Sequence, residues 1–251
     1  MRRKSMLAAL ASVVIAWGTP ALADPASDAV ADQSRSEADR ALDQGRNPVE
    51  VLRFSGPKEG GVIADFMAGD GYYSALLAEI VGPRGAVYAL NPAAFHNPGI
   101  WEARTDRHSN IRPIGTRNRA MVLAPDSVHM IFTNQTFHDI YWTSECFQME
   151  RIDERAMLAN WLAALKPGGH VIVIDHVGQS GDTREVVDAV HRIDPTTVLA
   201  AMQAAGFVLV GQSDMLRRSD DEITKSIFDE SVRGKTNRFM MKFQKPTESE
   251  R

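Results

Sequence analysis

Hydrophobic positions change period several times along the chain, and each change marks an element. Residues 62–66 are an apolar run of strand length, and residues 72–80 then carry Leu76, Leu77 and Ile80 at helical spacing. Gly82-Pro83-Arg84-Gly85 is a tight turn, after which 86–90 returns to strand character. Residues 110–114 predict a third, short strand, weakened by Pro113, and 128–133 predict a fourth. A helix is predicted over 147–165, with Ile152, Leu158, Trp161, Leu162 and Leu165 on one broad face, ended by Lys166-Pro167-Gly168-Gly169. Residues 170–174 form a fifth strand, followed by a polar loop through Gly181. Asp194-Pro195 then opens a helix that stops at Gly206. Residues 207–210 and 238–243 supply the last two strands, and between them Ser219 and Glu222 have capping-box spacing before Ile223, Ile227 and Phe228.

Ahead of this alternation, residues 24–46 read as a loose arm followed by a weak helix. Asn47-Pro48 caps a short helix that ends near Gly56-Pro57. No repeat and no internal linker interrupts the rest. The pattern is that of one α/β sandwich over 47–245, in which parallel strands need crossover helices, with a polar tail at 246–251.

The first 23 residues stand apart. Arg2, Arg3 and Lys4 precede a short apolar run over 6–17, and Ala21-Leu22-Ala23 supplies a small-x-small cleavage pattern. The run is short for a relaxed transmembrane helix. It reads as a secretory signal cut before Asp24, which places the mature protein in the periplasm or outside the cell, with no stable membrane insertion afterwards. An uncleaved anchor and a buried apolar first helix are the alternatives. Cys146 is the single cysteine, which excludes an internal disulfide and a multi-cysteine zinc site. A formal charge of -4 gives no reason to expect a nucleic acid partner.

Candidate chemistry begins at Ile63-Ala64-Asp65-Phe66-Met67-Ala68-Gly69-Asp70-Gly71-Tyr72, where a glycine-containing turn joins strand to helix. Such glycines let the backbone approach a ligand, and in a doubly wound sheet the turn lies at the carboxyl ends of the strands. The same turn can also be purely structural. Together with Val81-Gly82-Pro83-Arg84-Gly85-Ala86-Val87-Tyr88-Ala89-Leu90 and Leu165-Lys166-Pro167-Gly168-Gly169, it resembles the class I S-adenosylmethionine-dependent methyltransferases. The phrases His138-Asp139-Ile140-Tyr141-Trp142, Asp175-His176, His191-Arg192-Ile193-Asp194 and Arg233-Gly234-Lys235-Thr236 resemble, more narrowly, a group of exported bacterial proteins described as predicted methyltransferases.

The resemblance implies a Rossmann-like three-layer sandwich with a seven-stranded sheet, its last strand antiparallel. It also implies an S-adenosyl-L-methionine site made by Asp65, Ala68, Gly69, Gly71, Tyr72 and Asn91. Three positions depart from the family pattern. Met67 stands where a glycine is expected, Asp70 adds a charge beside the donor's carboxylate, and Asn91 replaces the acidic residue that holds the ribose hydroxyls. On that basis Asn91→Asp should maintain or improve donor binding.

Histidines and carboxylates gather where strands four and five end. His138, Asp139, Asp175 and His176 fall on one rim if those strands are parallel neighbours, His191 can fold over it, and Tyr141 can orient a substrate. A histidine oriented by a carboxylate suits general-base work. The same set could hold zinc, iron or manganese, although the linear spacings match no compact metal motif, and the simplest alternative is that these groups only cap loops. Arg233, Lys235 and Arg238 either attract an anionic substrate or form a solvated turn; the upstream glycine of a phosphate loop is replaced by Asp229.

The leading expectation is methyl transfer to an oxygen or nitrogen of a small acceptor. The alternatives are a periplasmic non-methyltransferase enzyme, or a small-ligand or metal-binding protein that reuses the fold after loss of the donor site. A non-catalytic scaffold is a third.

Overall fold

The computed structural model describes residues 24–247. The leader assigned to 1–23 and the last four residues of the tail lie outside the described residues. Two short helices, α1 (Pro25–Ala31) and α2 (Glu37–Arg46), are followed by α3 (Pro48–Ser55). Asn47 takes φ 46°, Pro48 opens α3, and Gly56 at φ 69° closes it. The segment expected to be a loose arm is thus ordered. Ser36 caps α2 by accepting from the Asp39 N–H, and Ala26 and Ala29 of α1 are buried.

The sheet comprises β1 (Val62–Phe66), β2 (Ala86–Pro92), β3 (Ile111–Thr116), β4 (Val128–Asn134), β5 (Leu165–His176), β6 (Val208–Ser213) and β7 (Arg238–Gln244). Their order is β3-β2-β1-β4-β5-β7-β6, with β7 antiparallel to both neighbours and the remaining pairs parallel. Pro113 is tolerated because β3 lies at the edge, where one side of the ladder needs no donor.

Alternate residues of the central strands feed opposite cores, as a period of two requires. Val171 and Val173 of β5 join Phe66, Trp161, Val198 and Met202 on one face. Ile172 and Ile174 join Ile63, Leu77, Trp101 and Phe132 on the other. The first core is covered by α6 (Glu154–Ala164), α7 (Thr183–Val190) and α8 (Pro195–Ala204). The second is covered by α3, α4 (Tyr72–Val81) and α5 (Pro98–Arg107).

Three elements differ from the sequence reading. Helix α6 starts at Glu154 rather than 147, because Asp153 caps it by accepting from the Ala156 N–H and Gln148 just upstream is left-handed. Lys166-Pro167-Gly168-Gly169 does not separate helix from strand; it is an irregular stretch inside β5, across a register shift against β4. Ser219 and Glu222 start no helix, since residues 214–237 form turns. Their anchor is Asp221, which pairs with the fully buried Arg192 at 2.7 and 3.0 Å. Among the described residues no helix is long and apolar enough to cross a membrane.

Candidate functional site

The chain leaves β1 toward β2 and β3, then returns to place β4 on the other side of β1. Such a reversal opens a crevice at the carboxyl ends of the strands. The turn after β1 forms its floor. Met67, Gly69 and Gly71 all take left-handed backbone, at φ 53°, 58° and 76°. Met67 therefore supplies the conformation of the glycine it replaces, at a cost of roughly 1–2 kcal/mol. Gly71 is required by packing, because a Cβ there would lie 2.7 Å from the Trp101 ring. Gly69 is different: a Cβ there would meet nothing within 4 Å, so the turn presents bare backbone to the crevice.

Asn91, expected to face the donor's ribose, is buried and closes on that turn. Its Nδ2 donates to the Gly69 carbonyl at 3.0 Å and its Oδ1 accepts from the Gly69 N–H at 2.9 Å. One N–H and one lone pair of the amide remain for a ligand.

Helix α2 roofs one half of the crevice, a cavity of 440 Å³ lined by Asp65, Ala68, Gly69, Tyr72, Arg46 and Asn134 among others. Asp65 accepts from the Ser74 hydroxyl at 2.6 Å; burial pushes its carboxyl up to about 7 against that bond. The Tyr72 hydroxyl donates to Asp43 at 2.6 Å, and the Arg46 guanidinium lies 4.3 Å from the Tyr72 ring centroid. Asn134 Oδ1 is buried without a partner.

The neighbouring cavity, 710 Å³, shares Met67, Gly69, Asp70, Gln135 and Thr136 with the first and is lined by His138, Asp139, His176 and His191. The structure therefore brings His138, Asp139, His176 and His191 together, while Asp175 does not reach the cavity. Asp175 is fully buried beneath it and accepts from the His138 N–H (2.8 Å), the His138 ring Nδ1 (2.9 Å) and the His176 N–H (2.7 Å). Asp175 thus takes the Nδ1 side of the His138 ring and leaves Nε2 toward Asp139, 3.4 Å from its Oδ1. Burial works against the charged form of His138, but Asp175 and then Asp139 outweigh it and hold the imidazole up to about 9. Burial pushes Asp139 up to about 6. It also drives His176 down to about 3 and, with the charge of His138, His191 down to about 4. His176 Nδ1 is bonded to the Thr236 hydroxyl at 2.7 Å. One ligand atom each from His138, Asp139 and His191 lies within 4.8 Å of the other two, a mixed nitrogen and oxygen set that suits a first-row divalent cation.

Tyr141 is a correction. Its ring is buried beside Phe137, with Arg184 over it at 5.6 Å, and it does not line either cavity. Sequence reasoning missed Phe95, Gln135, Thr136, Phe228 and Thr236. Only contacts between distant segments identify them, such as Phe95 stacked on Phe147 at 5.5 Å and Phe228 against His191 at 5.0 Å.

Comparison of the whole architecture with solved structures gives consistent neighbours. A SAM dependent methyltransferase from Aquifex aeolicus superposes with TM-score 0.55 at 20% identity, over 82% of this chain and 96% of that one. A second, from Mesorhizobium loti, gives 0.54 at 14% identity, over 78% and 96%. The fold is that of the class I methyltransferases. The same methyltransferase fold is shared with the [4+2]-cyclase SpnF, at TM-score 0.58 and 13% identity, over 84% of this chain and 81% of that one. No protein-family model and no curated protein matches the chain.

Proposed function

We propose that this is an exported methyltransferase that uses S-adenosyl-L-methionine to modify an oxygen or nitrogen of a small acceptor with an apolar body. The observation that carries the reading is the open backbone cradle at Gly69, beside the orphaned Asn134 Oδ1 in the roofed half of the crevice. Asp65, Ala68, Gly69, Tyr72 and Asn134 would hold the donor, with Gly71 shaping the turn behind it and Asn91 fixing the Gly69 backbone. When bound, the donor supplies an electrophilic methyl carbon on a sulfonium.

The chain's own residues then act from the histidine half. Phe95, Trp142, Phe147 and Phe228 enclose the acceptor's apolar body, and Asp175 holds the His138 ring in one orientation. His176, which burial keeps neutral, or His138 once it has lost its own proton above about pH 9, takes the acceptor's proton, and orientation across the shared floor of the two cavities does the rest. His138→Gln and His176→Gln, assayed separately, should show at least one variant losing turnover with donor affinity retained. Equal loss of donor binding and turnover in both would contradict the assignment. Export is tested by intact mass of the protein from the extracytoplasmic fraction, which should begin at or near Asp24.

One observation favours a second reading. Asn91 spends half of its amide on Gly69, and as an asparagine it leaves the crevice without the carboxylate that the resemblance leads one to expect at the end of β2. A protein that keeps the fold for another small ligand would show this, and it predicts no affinity for the donor.

A further inference from the structure

A third cavity, of 470 Å³, lies between α2 and the segment leading into β7. Five cations line it, Arg46, Arg218, Arg233, Lys235 and Arg238, and no carboxylate does. None of the five forms an ion pair among the described residues. Acids of neighbouring segments are committed elsewhere: Asp43 is held by Arg35 and Tyr72, Asp65 accepts from Ser74, and Asp221 is paired with Arg192.

Arg238 is the anomaly. It is only 4% exposed, donates one bond to the Gly45 carbonyl at 2.5 Å, and keeps a buried Nε with no partner. Burial, together with Arg218 and Arg46, pushes its pKa down, which is the signature of uncompensated positive charge. Buried guanidinium groups are ordinarily paired, since removing the charge from water costs several kcal/mol without a partner. A chain with a formal charge of -4 has acids to spare, yet places none here.

We propose that this cavity is a binding site for the phosphate group of a small molecule. Arginine forks match phosphate oxygens two at a time, and five cations suit a dianion better than a single carboxylate such as the donor's. The site is not isolated. Gln135 lines it and both halves of the crevice, Arg46 also lines the donor half, and Thr236 links it to His176. Arg238 itself lies opposite His176 in the β5–β7 ladder. The inference does not depend on methyl transfer, because it is read without donor or acceptor.

The test is titration of the untagged full chain with inorganic phosphate and with glycerol 3-phosphate, against chloride at matched ionic strength. Stoichiometric binding and a rise in thermal midpoint are expected with both phosphates and not with chloride. Arg238→Gln should cut phosphate affinity by about tenfold or more, a fold-change typical of losing a charge-assisted bond. It should also leave the ligand-free protein as stable as wild type or more so, because an unpaired buried charge is gone. Should that variant fail to fold, the exposed pair Arg233→Ala with Lys235→Ala must still weaken binding several-fold. Heats no larger than those of chloride, affinity unchanged in both variants, or binding only to phosphatidylglycerol vesicles would overturn the proposal.

Discussion

Replacing Asn91 with aspartate separates two accounts of the position most changed from the family pattern. As a ribose ligand, an aspartate should help; as the latch of the glycine turn, it should harm. The latch has two strands of bonding, Gly69 N–H to Oδ1 at 2.9 Å and Nδ2–H to Gly69 carbonyl at 3.0 Å. Aspartate keeps the first and destroys the second, leaving two oxygens facing each other in a site where residue 91 is 1% exposed. Losing the bond costs about 1 kcal/mol, and stranding a buried carbonyl against a carboxylate adds roughly 1–3 kcal/mol. The sum, about 2–4 kcal/mol, corresponds to roughly 5–15 °C in thermal midpoint for a domain of this size.

Denaturant titration of wild type and Asn91→Asp at pH 8 measures it, with the slope checked for a change in the unfolded state. The deficit should shrink in acid. The buried carboxyl has a folded pKa above its unfolded value, so the variant loses stability as pH rises between the two and regains it below, where the protonated group can donate to Gly69 again. An Asn91→Asp protein as stable as wild type at pH 8 would refute the latch.

Asp65 gives a pH test in the wild-type chain. With its folded pKa raised to about 7, its burial lowers stability progressively between about pH 4 and 7, so Asp65→Asn should flatten the stability profile across that window. Asp221→Ala should cost about 3–5 kcal/mol in denaturant melts, because it strands the fully buried Arg192 and releases the 214–237 turns. Gly69→Val should weaken S-adenosyl-L-methionine binding by tenfold or more in calorimetry, since it fills the cradle and forces a branched side chain into left-handed backbone. Unchanged affinity would remove Gly69 from the donor site.

The strands were legible in the sequence because the central ones are buried on both faces and read as apolar runs between glycine-rich turns. The number of strands and the antiparallel last strand came with the resemblance; the pairing order did not. Helices α5 and α7 were not legible. Helix α5 buries only Trp101, and α7 is a short run whose valines favour strands; each depends on a cap, Asn97 and Asp182, within polar sequence. The rim of His138, Asp175 and His176 was readable because parallel neighbouring strands end there together. That Tyr141 turns into the core, and that Asn91 latches Gly69, depends on side-chain direction at the crevice, which spacing does not encode. Residues 214–237 carried a valid capping pattern, but a buried ion pair to Arg192 outweighed local preference.

Donor binding is the claim on which the functional account rests. Calorimetric titration of the full chain with S-adenosyl-L-methionine and S-adenosylhomocysteine, free of metal tags, addresses it without knowledge of the acceptor. The account predicts one site per chain for both ligands, weakened by Gly69→Val. No heat of binding for either ligand at millimolar concentration, from protein shown to be folded, would contradict it and leave the fold serving another small molecule.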